Sequence, residues 1–357
     1  MNNRRVVIGI FVSFILIYLI IWIPRPGGLF KGELSIFQAA FGQPRIDFTN
    51  LGRILLHLKP IPLILGFLVT PIHCLVRSHR WGIMVKHMSK LKLFDGFSII
   101  MVSYFTNSIL PLRIGEVVRG VLLGRRIKIT NSAGLGTVAL DRALDMVSLL
   151  VVIIITGLLF DFPAEIGYAA WLLSAISLIM ILIIAAMILF KERHGNLPNR
   201  LLEWLPVGIV KRILSIINQF ISGFAALKSP ANYFLIVADS VIIWGLYATQ
   251  VLLVMIAFNL PANYPVIAAE PVMTSFVILV IAALVLSVPS APGGIGTFHA
   301  AVIFGLALFG VGTDEAAGFA FIIHAITIIF YIFVGFPFMW REGLKLVHLR
   351  SMRVDGG

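Results

Sequence analysis

The sequence predicts an all-α polytopic membrane protein with about six full spans and two re-entrant hairpins arranged as inverted repeats. Three observations predict it. Of 357 residues, 59% are hydrophobic and 12% charged, with a mean hydropathy of +1.02, which rules out a water-soluble globule. Apolar runs of about 20 residues, each enough to cross a bilayer core, recur along the whole chain. The 28 Lys and Arg outnumber the 16 Asp and Glu, for a net charge of +12, and they cluster between the apolar runs. Basic residues in that position follow the positive-inside bias and face anionic lipids on the cytoplasmic side, so nucleic acid is not expected as a partner. The single cysteine, Cys74, can form no internal disulfide and stands in no metal-binding spacing, so neither a metal nor a cofactor is expected.

The elements follow in order. The run 6–23 comes after Arg4 and Arg5 and lacks a small-residue cleavage site, so it reads as an uncleaved span with the N-terminus inside. In 47–59, Leu51, Ile54, Leu55 and Leu58 share one helical face, as suits a helix lying in the interface. A second span, about 60–76, delivers Arg77, Arg80, Lys86, Lys90 and Lys92 to the cytoplasmic side, with Arg80 and Trp81 as an interfacial anchor. The stretch 94–110 contains Asp95 and Asn107 and leads into Arg113, Arg119, Arg125, Arg126 and Lys128. A full crossing would strand those cations outside, so a hairpin turning at Pro111 is the cheaper solution. Spans at 137–160 and 171–190 then flank an acidic external loop, and 191–228 is cytoplasmic with a surface helix near 207–227. After a span at 234–258, the runs 272–288 and 295–308 form a second hairpin, broken at PSAPGGIG. A last crossing at 316–340 puts the tail 346–357 in the cytoplasm.

The breaks resemble each other. Pro111-Leu-Arg-Ile-Gly115 and Pro292-Gly-Gly-Ile-Gly296 share P-x-x-I-G about half a chain apart, giving half-repeats of about 1–165 and 166–345 in one membrane domain. Opposite entry of two broken hairpins would bring exposed backbone N–H groups together near the midplane, where they suit an anion. Charges gather beside the first break. Asn107, Arg113, Glu116 and Arg119 adjoin it, with Glu116 and Arg119 spaced to pair on one helical face. Asp141-Arg142-Ala-Leu-Asp145 places two carboxylates at i and i+4. Ionisable residues within spans face a bundle interior or a wet cavity; they either line a transport path or staple helices together. Asp239 is the most isolated charge, well inside its span. His299 follows the second break and His324 lies in the last span; each is either a hydrogen-bonded core ring or, for His299, a titrating group beside the headgroup pocket. No Walker sequence is present.

The pattern N-x-x-L-P-x-R-x-G-E-x-x-R, then T-V-x-x-x-R-x-x-D, then P-G-G-x-G resembles the flippase-like membrane region of the lysylphosphatidylglycerol synthase family, over roughly 5–340. The resemblance implies a bundle that translocates a lipid with a charged or glycosylated headgroup between leaflets. It carries over Asn107, Pro111, Arg113, Glu116, Arg119, Arg142, Asp145, Pro292, Gly293 and Gly296. Many relatives have Glu where this chain has His299, which suits an anionic phosphate or a proton-linked step. The family's soluble aminoacyl-transfer domain is not expected with this region, so no enzyme is expected. The expected function is ATP-independent transport of an anionic or lipid-linked-sugar headgroup in the cell (inner) membrane. Its substrate would be a phospholipid, polyprenyl phosphate or lipid-linked sugar, with a separate synthase or glycosyltransferase as a possible partner. Two alternatives are a scaffold for such a synthase and a polyprenyl-dependent membrane glycosyltransferase. The second would need acids on the outer face, and Glu33, Asp47, Asp161, Glu165 and Glu270 form no tight motif.

Overall fold

The computed structural model describes residues 46–110, 113–160, 230–287 and 292–343, with isolated positions at 15, 18, 22, 23, 43, 44 and 175. The expected spans 6–23 and 171–190, the surface helix 207–227 and the tail 346–357 lie outside the described residues.

The chain is an all-α polytopic membrane protein; the one strand pairing among the described residues joins Trp22–Ile23 to Gln43–Pro44. Helix α1 (Phe48–Leu56) is capped by Asp47, whose carboxylate accepts the Thr49 and Asn50 N–H groups at 2.8 and 3.2 Å. Four helices are long and apolar enough to cross a membrane: α2 (Pro60–Val85), α5 (Asn131–Leu159), α6 (Pro230–Ala257) and α9 (Thr313–Arg341). At 1.5 Å per residue each reaches about 40 Å, more than the hydrocarbon core requires. Pro60 opens α2 at a position where its missing N–H loses nothing. Between the long helices run shorter ones, α3 (Leu93–Ile109) and α4 (Ile114–Ile127) in the first half, α7 (Pro271–Ser287) and α8 (Thr297–Ala307) in the second. Two helices of one turn, Leu260–Asn263 and Pro265–Ala269, lead from α6 to α7.

The second span is longer than the sequence reading allowed. Helix α2 continues past 76 to Val85, and Arg77, Arg80 and Trp81 are buried in its body. They do not end the helix, and Arg80 and Trp81 are packed inside the protein rather than exposed as an anchor. Carboxylates on α5 neutralise both arginines, so the helix can continue apolar packing beyond them.

The order long, short, short, long occurs twice, as α2 to α5 and as α6 to α9, and the contacts follow the same rule. Helix α2 packs on α6, α3 on α9 and α7 on α5, as a two-fold axis exchanging the halves demands. Gln250 on α6 donates to the Gly66 carbonyl at 3.1 Å and to Thr70 Oγ1 at 2.9 Å, while Arg80 donates to Ser240 Oγ at 2.9 Å. As α2 advances from 66 to 80, α6 therefore retreats from 250 to 240. The two helices are therefore antiparallel, as inverted repeats require. One apolar core surrounds Trp81, Met84, Ile99, Met101 and Leu122; a second surrounds Val254, Ile278, Ile281, Val302 and Phe319.

Candidate functional site

The first break separates α3 from α4. Arg113, the residue before α4, takes the left-handed conformation at φ 53° and ψ 37°, a strained choice for a non-glycine residue. Asn107 holds the turn by accepting the Gly115 N–H on Oδ1 at 2.8 Å. A Cβ at Gly115 would stand 2.0 Å from the Ser103 carbonyl oxygen, so this crossing of α3 and α4 admits only glycine.

The second break is a turn at Pro292–Gly294 with Gly293 and Gly296 at φ 64° and 86°, values natural only to glycine. Two histidines secure it from behind. His299 accepts the Gly296 N–H on Nδ1 at 3.2 Å, and His324 donates from Nε2 to the Gly293 carbonyl at 2.9 Å.

The two breaks meet. A Cβ on Gly293 would lie 3.5 Å from the Ser108 carbonyl oxygen, and the Arg113 guanidinium donates to the Leu286 carbonyl. Between them is a cavity of about 210 Å³. Asn107, Arg113, Glu116 and Arg142 line it from the first half, Leu286, Gly293 and Gly294 from the second, and Tyr104 and Tyr331 add their rings.

Behind the cavity stands a buried charge network. Asp141 accepts from Arg77 at 3.2 Å, Arg80 at 2.6 Å and Arg119 at 2.7 Å. Asp145, one helical turn on, accepts from Arg77 at 2.8 Å and Arg80 at 2.6 Å, and lies 3.4 Å from Arg142. Arg142 reaches Glu116 at 3.2 Å, and Glu116 reaches Arg113 at 3.9 Å. Five guanidiniums thus face three carboxylates, an excess of two positive charges among the described residues. Arg119 Nε and Nη2 and Arg80 Nε are buried without a hydrogen-bond partner. The Arg119 guanidinium lies over the Trp81 ring, 4.0 Å from its centroid, a favourable place for a desolvated cation. Among the described residues no group of three His, Cys, Asp or Glu side chains could hold a metal ion.

An excess of cations beside a cavity between two helix breaks suits an anion, and the comparisons with known proteins show a membrane protein. Residues 6–335 match the family described as Lysylphosphatidylglycerol synthase TM region. The chain belongs to that family. It is 27% identical to a UPF0104 membrane protein of Methanocaldococcus jannaschii over 222 residues, covering 61% of this chain and 85% of the relative. It is 25% identical to a UPF0104 membrane protein of Methanothermobacter thermautotrophicus over 259 residues, covering 67% of this chain and 72% of the relative. No solved structure matches it.

The residues singled out from the sequence as candidate site residues fall into three groups. Asn107, Arg113, Glu116, Arg142 and Gly293 line the cavity, and Pro292 opens the adjoining turn. Arg119 and Asp145 stand behind it in the charge network. Arg119 does not pair with Glu116 as their spacing suggested; it donates to Asp141, because α4 turns that face onto α5. Asp239, Gly296 and His299 do not line the cavity. Asp239 is not isolated either, since it pairs with His79 at 2.8 Å. His299 supports the break rather than facing its opening. Pro111 lies outside the described residues. Tyr104 and Tyr331 were not singled out in the sequence, and Arg77 and Arg80 were placed at a membrane boundary rather than in the charge network. Arg77 and Arg80 at i and i+3, matched against Asp141 and Asp145 at i and i+4, were the available signal.

Proposed function

We propose that this protein moves a lipid with an anionic headgroup between the leaflets of the cell membrane, the headgroup passing through the cavity between the two helix breaks. The observation that carries the reading is the excess of guanidinium over carboxylate beside that cavity. An uncompensated charge in a low-dielectric site is costly unless a counter-ion completes it. A phosphate does so through charge-assisted hydrogen bonds, and two guanidiniums, Arg113 and Arg142, are within its reach. The acyl chains stay in lipid while the headgroup crosses. With no Walker sequence in the chain, movement is downhill or coupled to an ion gradient rather than driven by ATP. The distribution of Lys and Arg favours both termini in the cytoplasm.

The test is dithionite bleaching of proteoliposomes that contain tail-labelled fluorescent phosphatidylglycerol or phosphatidylcholine. Flipping of phosphatidylglycerol carries bleaching beyond the outer-leaflet pool, and Arg113→Gln and Arg142→Gln should each remove that extra fraction while the protein stays inserted. Bleaching equal to that of protein-free vesicles for the anionic lipid would sink the proposal.

A further inference from the structure

The three carboxylates of the charge network are not equivalent. Asp141 and Asp145 are built in: hydrogen bonds of 2.6 to 3.2 Å tie them to Arg77, Arg80 and Arg119, and the Asp141 side chain is 0% exposed. Glu116 is loosely placed. Its side chain is 23% exposed, it stands 3.9 Å from Arg113, and at 3.2 Å from Arg142 Nε it makes no hydrogen bond, that nitrogen being without a partner. Arg142 and Arg113 are also the guanidiniums that line the cavity. The carboxylate nearest the opening therefore sits on the cations a phosphate would use, with geometry that leaves Arg142 Nε without a hydrogen-bond partner.

We propose that Glu116 is a resident counter-anion, displaced from Arg113 and Arg142 by the phosphate of the headgroup, and that it trades affinity for turnover. This rests on the transport reading above and adds to it the residue that governs release. The charge count gives the direction. Arg113, Arg142 and Glu116 together carry one positive charge, which a phosphodiester cancels. Without Glu116 two positive charges await one phosphate, so the lipid binds more tightly. Planar guanidinium also meets phosphate oxygens in a bidentate fork, an arrangement Glu116 does not reach here. On release the carboxylate returns to the two arginines and prevents their being left bare in a low-dielectric cavity. Asn107 also lines the cavity; with its Oδ1 committed to the Gly115 N–H, its amide N–H₂ is the group left to donate to the displaced carboxylate.

The experiment separates binding from flipping. Purified full-length protein in detergent is titrated with dihexanoyl-phosphatidylglycerol by calorimetry, and the same variants are assayed for flipping in proteoliposomes. Glu116→Gln, which keeps the shape and removes the charge, should bind about tenfold more tightly, the factor that corresponds to 1.4 kcal/mol, and flip more slowly. Glu116→Asp draws the carboxylate one methylene back from Arg142 and should shift both quantities the same way by a smaller factor. It decides the matter if the Gln variant fails to insert. Unchanged or weaker binding in the variants would overturn the assignment, because a merely structural or a substrate-contacting Glu116 predicts weaker binding. Inorganic phosphate is titrated in parallel: a Glu116 effect on phosphate with none on the lipid also overturns it as a statement about headgroups. Failure of the wild type to flip any anionic lipid would refute the transport reading instead, an outcome distinct from the binding result.

Discussion

The Asp141→Asn substitution tests the charge network where it is most constrained. Asp141 is fully buried and accepts from three guanidiniums at once. Removing its charge leaves five arginines facing two carboxylates, and the arginines do not lose equally. Arg77 and Arg80 keep Asp145, whereas Asp141 is the only carboxylate in ion-pair contact with Arg119 among the described residues. Breaking one buried pair costs about 3–5 kcal/mol. The new amide still offers Oδ1 to one guanidinium, but its N–H₂ must face another donor, and a buried donor left unsatisfied costs about 1–3 kcal/mol. The retained Oδ1 bond offsets part of this, so a loss of about 4 kcal/mol is expected, a large share of a typical domain's stability. Reversible unfolding in mixed dodecylmaltoside and SDS micelles measures it. Adding Arg119→Met removes the orphaned cation and should recover about 1–2 kcal/mol of the loss. A single mutant within about 1 kcal/mol of wild type, or a double mutant with no recovery, would refute the picture of Asp141 as the network's anchor.

Other substitutions report on the breaks and on topology. Gly115→Ala places a methyl 2.0 Å from the Ser103 carbonyl oxygen and 2.6 Å from Asn107 Oδ1, so α3 and α4 must separate. The expected loss is about 2–3 kcal/mol, read by the same unfolding assay, together with loss of flipping. His299→Leu deprives the Gly296 N–H of its acceptor and should cost about 1–3 kcal/mol. His299→Gln can still take that N–H and should flip with the same ratio of rates at about pH 6 and pH 8 as wild type; a wild-type pH dependence that vanishes in this variant would make the ring a proton switch after all. With Cys74 replaced by Ala, a thiol at Lys128→Cys should react with impermeant maleimide from the cytoplasmic side of oriented vesicles, and labelling from outside would invert the topology.

Much of the fold was legible because a bilayer imposes a simple length rule. Runs of apolar residues long enough to cross gave α2, α5, α6 and α9, and the Pro and Gly clusters marked both breaks at the residues where α3 and α7 end. The boundary of α2 was not legible. Hydropathy counts each charge as if it were solvated, so Arg77 and Arg80 looked like the end of a span. Their partners Asp141 and Asp145 lie between 61 and 68 residues away along the chain, and no local pattern reveals a neutralising group at that distance. The same limit made Asp239 look solitary, although His79, its partner, is 160 residues earlier.

At the site, sequence spacing located the charges and misjudged their pairing for one geometric reason. An i, i+3 pattern states that two side chains share a face of a helix but not what that face meets. Glu116 and Arg119 do lie near one another on α4, yet that helix is buried against α5, and Arg119, at 1% exposure, finds Asp141 within hydrogen-bond reach. Glu116 sits one turn nearer the break, where α4 begins and the cavity opens, so it meets Arg142 and Arg113 instead. Two residues that looked like one ion pair therefore belong to different environments: Arg119 is buried against Asp141, and Glu116 is partly exposed at the cavity. The difference follows from depth along a single helix. Moving Glu116 one turn further along α4 would bury it among the structural pairs and leave the cavity with bare arginines, whereas moving Arg119 one turn back would add a third cation to the cavity. Depth along α4 thus separates the buried pairs behind the cavity from the partly exposed carboxylate at its edge.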